Sequence, residues 1–148
     1  MWNKSKSLML SIFCTRLFLV LLLAAVIFAP QLIVWFFGDS AAMQQIHGYL
    51  RATVYMVAFP AAVLLFCLHK LLLNIRRNMV FESSNIRLLR MISWSCIAAG
   101  VVALVSSFYY SSFWIVAVAC AFFGLILRVI KNVFEQALEI KNENDFTI

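Results

Sequence analysis

The sequence predicts an all-α integral membrane protein: a four-transmembrane-helix bundle, N-in/C-in, with the fourth helix extending into the cytoplasm. Three observations carry this expectation. First, 65% of the 148 residues are hydrophobic and only 12% are charged, about half the charged fraction of a soluble domain. A chain of this size has no way to hide so much apolar surface from water. Second, the apolar residues collect in four stretches, each near or above the ~18–20 residues that cross a hydrocarbon core as a helix. Third, of the twelve Lys and Arg residues, all but Arg51 fall on one side once those stretches are laid across a bilayer. That side is the one retained in the cytoplasm during insertion. The net charge of +6 is then positive-inside bias. No nucleic-acid-binding module accompanies it, so no direct nucleic-acid partner is expected.

The whole chain, 1–148, reads as one four-span membrane domain. The first span is placed at about 11–37. Lys4, Lys6 and Arg16 precede its most apolar part, and the run continues through Pro30 to Phe37. That is too long for a cleavable leader and lacks a small-x-small site, so it reads as a retained helix, kinked near Pro30. Gly38–Arg51 (GDSAAMQQIHGYLR) reads as the one sizeable outer loop, with His47 solvated. The second span, about 52–73, carries Pro60, which removes one backbone hydrogen bond and predicts a bend.

The inner loop, Asn74–Arg90 (NIRRNMVFESSNIRLLR), sets Arg76, Arg77, Arg87 and Arg90 against Glu82. Ser83 or Ser84 is expected to cap the next helix, with Asn85 in its first turn. The third span follows at about 91–109, then the turn Tyr110-Ser111-Ser112, then the fourth span at about 113–130. Beyond Arg128 and Lys131 the periodicity continues into a tail, 131–148. Ile130, Val133, Phe134, Ala137 and Leu138 share one stripe, opposite Glu135, Gln136 and Glu139. Trp35, Tyr49, Tyr55, Tyr109, Tyr110 and Trp114 form an outer aromatic belt, and Trp2 and Trp94 flank the inner boundary.

Catalytic chemistry is not evident. No Asp or Glu lies within a span, so the membrane interior offers neither a proton relay nor an acid–base pair. Arg16, His69, Lys70 and Arg128 sit near inner ends, where they can snorkel. No Walker loop, dinucleotide fingerprint or hydrolase elbow is present. Cys14, Cys67, Cys96 and Cys120 lie in apolar stretches without a Cys-x-x-Cys pair. Cys14, Cys67, His69 and Cys96 share a similar depth but follow no local metal motif. The chain is therefore expected to have no catalytic residue, cofactor or metal. Ser95, Ala99, Gly100, Ala103 and Ser107 on the third span, with Ala117, Cys120, Ala121 and Gly124 on the fourth, permit close helix approach. Packing within one hairpin explains them, since the short turn already forces these helices together; a homodimer seam is the alternative.

The cytoplasmic face is the remaining candidate site. Arg76, Arg77, Arg87 and Arg90 face an acidic tail containing Glu135, Glu139, Glu143 and Asp145. One reading is an internal clamp of tail on loop. The other is that Phe134, Leu138, Phe146 and Ile148 present an apolar strip to a soluble partner, and a competing partner would reconcile the two. Phe81-x-x-x-Asn85-x-x-Leu88-Leu89-Arg90, followed by Ile92 and Trp94, resembles the inner-loop signature of an uncharacterised bacterial membrane family, domain of unknown function 2975 (DUF2975). The ending from Ile130-x-Asn132-Val133-Phe134 through Glu143-Asn144-Asp145-Phe146-Thr147-Ile148 is similar to that family's C-terminus. The family's Gly-x-Pro-type turn ahead of Phe81 is replaced by Asn78-Met79-Val80. Members are often encoded beside a small helix-turn-helix regulator, so the resemblance implies a protein of the bacterial inner membrane that tethers or restrains such a regulator. The reading reached here is a non-enzymatic interaction module. Its partner-contact candidates are Arg76, Arg77, Phe81, Asn85, Arg87, Arg90, Phe134, Leu138, Glu143, Asn144, Asp145, Phe146 and Ile148. A small-molecule transporter or membrane-stress sensor, using the Pro30 and Pro60 kinks and a Ser- and Tyr-lined path, is the alternative.

Overall fold

The structure, a computed structural model, describes residues 4–147, so Trp2 and Ile148 lie outside the described residues. It is all helical: α1 Lys4–Phe37, α2 Ala41–Arg76, α3 Ser83–Ser106 and α4 Phe113–Phe146. All four are long and apolar enough to cross a membrane, and the chain is a multi-pass membrane protein. At 1.5 Å per residue the 34-residue α4 is about 51 Å long, well beyond a hydrocarbon core of about 30 Å.

The helices pack in chain order, α1 on α2, α2 on α3 and α3 on α4. They alternate in direction. The start of α1, the α2–α3 connection and the end of α4 therefore share one end, called here the basic end. Pro30 and Pro60 both lie inside unbroken helices.

The expected outer loop is corrected. Only 38–40 separates α1 from α2, because α2 begins at Ala41 and runs through the segment read as polar loop. Ala41, Ala42, Met43, Gln44 and Gln45 are good helix formers. His47, Leu50 and Thr53 then place one buried stripe along that extension. His47 is 3% exposed, so it is a buried residue and not a solvated one. The reversal itself is made by Gly38, whose φ of +74° suits a residue without Cβ, and whose N–H closes α1 on Val34 O at 2.8 Å.

At this end hydroxyls join α2 to α3. Thr53 Oγ1 and Ser106 Oγ lie 2.8 Å apart, Thr53 also meets the Tyr109 hydroxyl, and Tyr109 donates to Tyr49 O at 3.2 Å. The rings of Tyr49 and Tyr109 stack at 5.5 Å. α3 thus ends at Ser106, short of Tyr109, with Tyr109 turned back as a lock. Tyr55 points away from this cluster and is exposed.

α3 and α4 meet through small residues. A Cβ on Gly100 would stand 3.2 Å from Cys120 Cβ, and one on Gly124 would stand 3.1 Å from Ile97 Cγ1. Ser93 Oγ uses that closeness to donate to Gly124 O at 2.9 Å. Gly100 and Gly124 lie within this intramolecular contact.

Candidate functional site

The basic end is organised by one side chain. Asn85, in the first turn of α3, is 0% exposed. Its Nδ2 donates to Met79 O at 2.6 Å and to Val80 O at 2.7 Å, while its Oδ1 accepts from Asn74 Nδ2 at 2.7 Å. Its backbone N–H reaches Glu82 O at 3.0 Å. One carboxamide therefore ties together the last turns of α2, the connection and the start of α3. Both of its N–H donors are in use. Asn85 positions the connection from inside and presents no surface to a partner.

The turn before it explains how the chain manages without Gly-x-Pro. Asn78 has φ +60°, its N–H bonds Ile75 O at 3.0 Å, and the Met79 N–H bonds Asn74 O at 3.0 Å. That is a Schellman closure, with Asn in the left-handed position usually held by Gly. Glu82 occupies the N-cap position of α3 without a side-chain cap bond. Neither Ser83 nor Ser84 caps the helix, because both already lie within it.

An apolar cluster of Cys67, Leu71, Leu88, Leu89 and Ile92 sits beside this hub, with Phe134 packed against it. Phe134 also meets the Phe81 ring at 5.7 Å. One residue further along α4, Glu135 is 2.9 Å from Lys131 Nζ and 3.4 Å from Arg90 Nη2. The hydrogen bond from Lys131, aided by the nearby charge of Arg90, holds the Glu135 carboxyl below its ordinary range. Arg128 lies over the Trp94 ring at 5.3 Å. Water screens an exposed ion pair, so the Phe134 contact is the principal anchor of the α4 extension.

Of the residues singled out from sequence, the structure brings together Phe81, Arg90 and Phe134, with Asn85 at the hub and Leu138 half-buried on the same stripe. Arg76, Arg77 and Arg87 are exposed and, among the described residues, join no ion pair. Glu143, Asn144, Asp145 and Phe146 are exposed on the last turns of α4, beyond the docked part. Ile148 lies outside the described residues. The electrostatic clamp thus rests on Glu135 alone among the described acids. Sequence reasoning missed Asn74, Asn78 and Lys131. An Asn just past an arginine-rich helix end was the available signal for Asn78. Cys14, Cys67, His69 and Cys96 do not converge: among the described residues no three His, Cys, Asp or Glu side chains are placed to hold a metal ion.

A family model described as a protein of unknown function (DUF2975) matches residues 37–148, from the last residue of α1 through α4. No curated protein and no solved structure matches the chain. The Asn85 hub, the Phe81–Phe134 contact and the whole α4 extension fall inside the matched residues, whereas α1 precedes them. The chain belongs to this family of proteins of unknown function, DUF2975.

Proposed function

We propose that the protein is a non-enzymatic interaction module of the bacterial inner membrane. Its basic end faces the cytoplasm and binds a soluble regulatory protein, of which a small helix-turn-helix regulator is the leading type. The cationic bias supports the orientation, since every Lys and Arg but Arg51 belongs to the basic half of the molecule.

One observation carries the functional reading. α4 continues as an unbroken helix well past membrane length, is docked on the connection at Phe134 and Glu135, and then leaves its last turns exposed, with Phe146 90% exposed. A helix anchored near its base and bare at its tip suits helix-in-groove recognition by a soluble protein. Arg77, Arg87 and Phe81, exposed beside it, offer a second contact region.

A photo-cross-linking residue at Glu143 or Phe146 is expected to capture one soluble protein in intact bacteria, while the same probe at the exposed Trp35 captures none. Failure at both tail positions overturns the partner reading. Orientation is tested separately, in a background without the four native cysteines. Asp39→Cys should react with an impermeant thiol reagent from outside, and Arg77→Cys only after permeabilisation. The reverse pattern overturns the topology.

A further inference from the structure

A second feature of the basic end lies away from the Asn85 hub. A cleft of about 810 Å³ opens between the start of α1 and the end of α2. Ser5, Ser7 and Ser11 of α1 and Arg76 of α2 form its polar wall. Leu8, Ile75 and Val80 form its apolar wall. Among the described residues, no acidic side chain lines it. Arg76 and the adjacent Arg77 are exposed and, among the described residues, unpaired.

This combination is chemically specific. A guanidinium with no carboxylate partner, beside hydroxyl donors, is the donor set that phosphate oxygens prefer. Basic pockets between membrane helices take anionic headgroups. A free phosphate would leave the apolar wall unused, whereas a phospholipid covers it with glycerol and the first methylenes of its chains. Access from the side is open, because α1 exposes Met9 and Phe13 next to the cleft.

We propose that this cleft holds the headgroup of an anionic phospholipid, with Arg76 on the phosphate and the Ser7 hydroxyl donating to one of its oxygens. The assignment is independent of the soluble partner and of which side of the membrane the basic end occupies.

The test uses the full chain purified in neutral detergent. It is titrated with phosphatidylglycerol, phosphatidylcholine or inorganic phosphate, and lipid-bound species are read by native mass spectrometry. Phosphatidylglycerol should bind in preference to phosphatidylcholine, and Arg76→Gln should weaken it about fivefold. Ser7→Glu, at an exposed position, should weaken it at least as much by placing a negative charge in the cleft while leaving Arg76 intact. Lys70→Gln, an exposed cation of the same helix that does not line the cleft, should change nothing. Three results each overturn the proposal. These are equal binding of phosphatidylcholine, an equal loss in Lys70→Gln and Arg76→Gln, or inorganic phosphate displacing the lipid at matching concentration. The last would assign a phosphate site with no role for the apolar wall.

Discussion

α1 and α3 can each cross a membrane, yet they relate to the rest of the protein in opposite ways. In the most apolar window of α3, 44% of residues are buried within the protein; in that of α1, 11% are. α1 is nevertheless the more apolar helix. It buries Ile12 and Thr15 toward one end and Ala29 and Ile33 toward the other. α3 buries residues along its whole length, from Asn85 to Ser106. In lipid, an apolar side chain gains little by exchanging acyl chains for protein, so association follows close packing and polar contacts. Ser93, Gly100, Ala103 and Ser106 supply those contacts on α3. Hydropathy therefore marks the helix that faces lipid, and small and polar residues mark the helix that organises the bundle. The family match contains α2, α3 and α4 whole and only the last residue of α1.

The contrast is most exposed to failure at Asn85. Asn85→Ala deletes every side-chain bond of a wholly buried amide and leaves the Met79 and Val80 carbonyls and Asn74 without it. A loss of about 3 kcal/mol is expected, read as a lower unfolding midpoint in detergent with faster hydrogen exchange across 74–85. If the loss is no greater than for Leu21→Ala on exposed α1, which should stay within about 0.5 kcal/mol, α3 does not hold the basic end together.

Gly124→Leu comes next. Its Cβ already crowds Ile97 Cγ1 at 3.1 Å and stands 3.6 Å from Ser93 O, so the α3–α4 seam must widen at a cost of about 2 kcal/mol. An unchanged midpoint would show that this seam is loose and α3 no better packed than α1.

The smallest effect is expected at Glu135. Its folded pKa lies below the ordinary value, so the stability it contributes is present above the unfolded pKa and lost as pH falls through the folded one. The protection factors of amides in residues 131–138 should fall below about pH 4.5, and Lys131→Met should remove most of that pH dependence. Equal protection at neutral and acid pH would assign the docking of α4 to Phe134 alone.

The membrane class and the four helices were legible because both follow from apolar length, which is a property of sequence. The α3–α4 seam was legible from Ser95, Ala99, Gly100, Ala103 and Ser107 on one span and Ala117, Ala121 and Gly124 on the next, and Gly100 and Gly124 lie in the close contact. The start of α2 was not. Polarity in 38–51 reports departure from hydrocarbon and says nothing about where helical hydrogen bonding stops; the spacing of His47, Leu50 and Thr53 was the signal that the helix continued. At the basic end the structure sets Phe81 against Phe134 and Arg90 beside Glu135, pairings that the sequence did not specify. Asn85 belonged there too, but as a buried tie and not as a contact, because an amide looks alike in sequence whether its partners are backbone carbonyls or a second protein. Asn74 pairs with Asn85 across the connection, a long-range relation that no local pattern displays.

The interval between the two buried ends of α1 has a volumetric consequence. Between Thr15 and Ala29 no residue of α1 is buried, and there Leu22 and Val26 help to wall a cavity of about 240 Å³ shared by all four helices. Compression acts on empty space before it acts on close-packed contacts. α1, with no buried residue along this stretch, is thus a wall from which the gap can narrow under pressure.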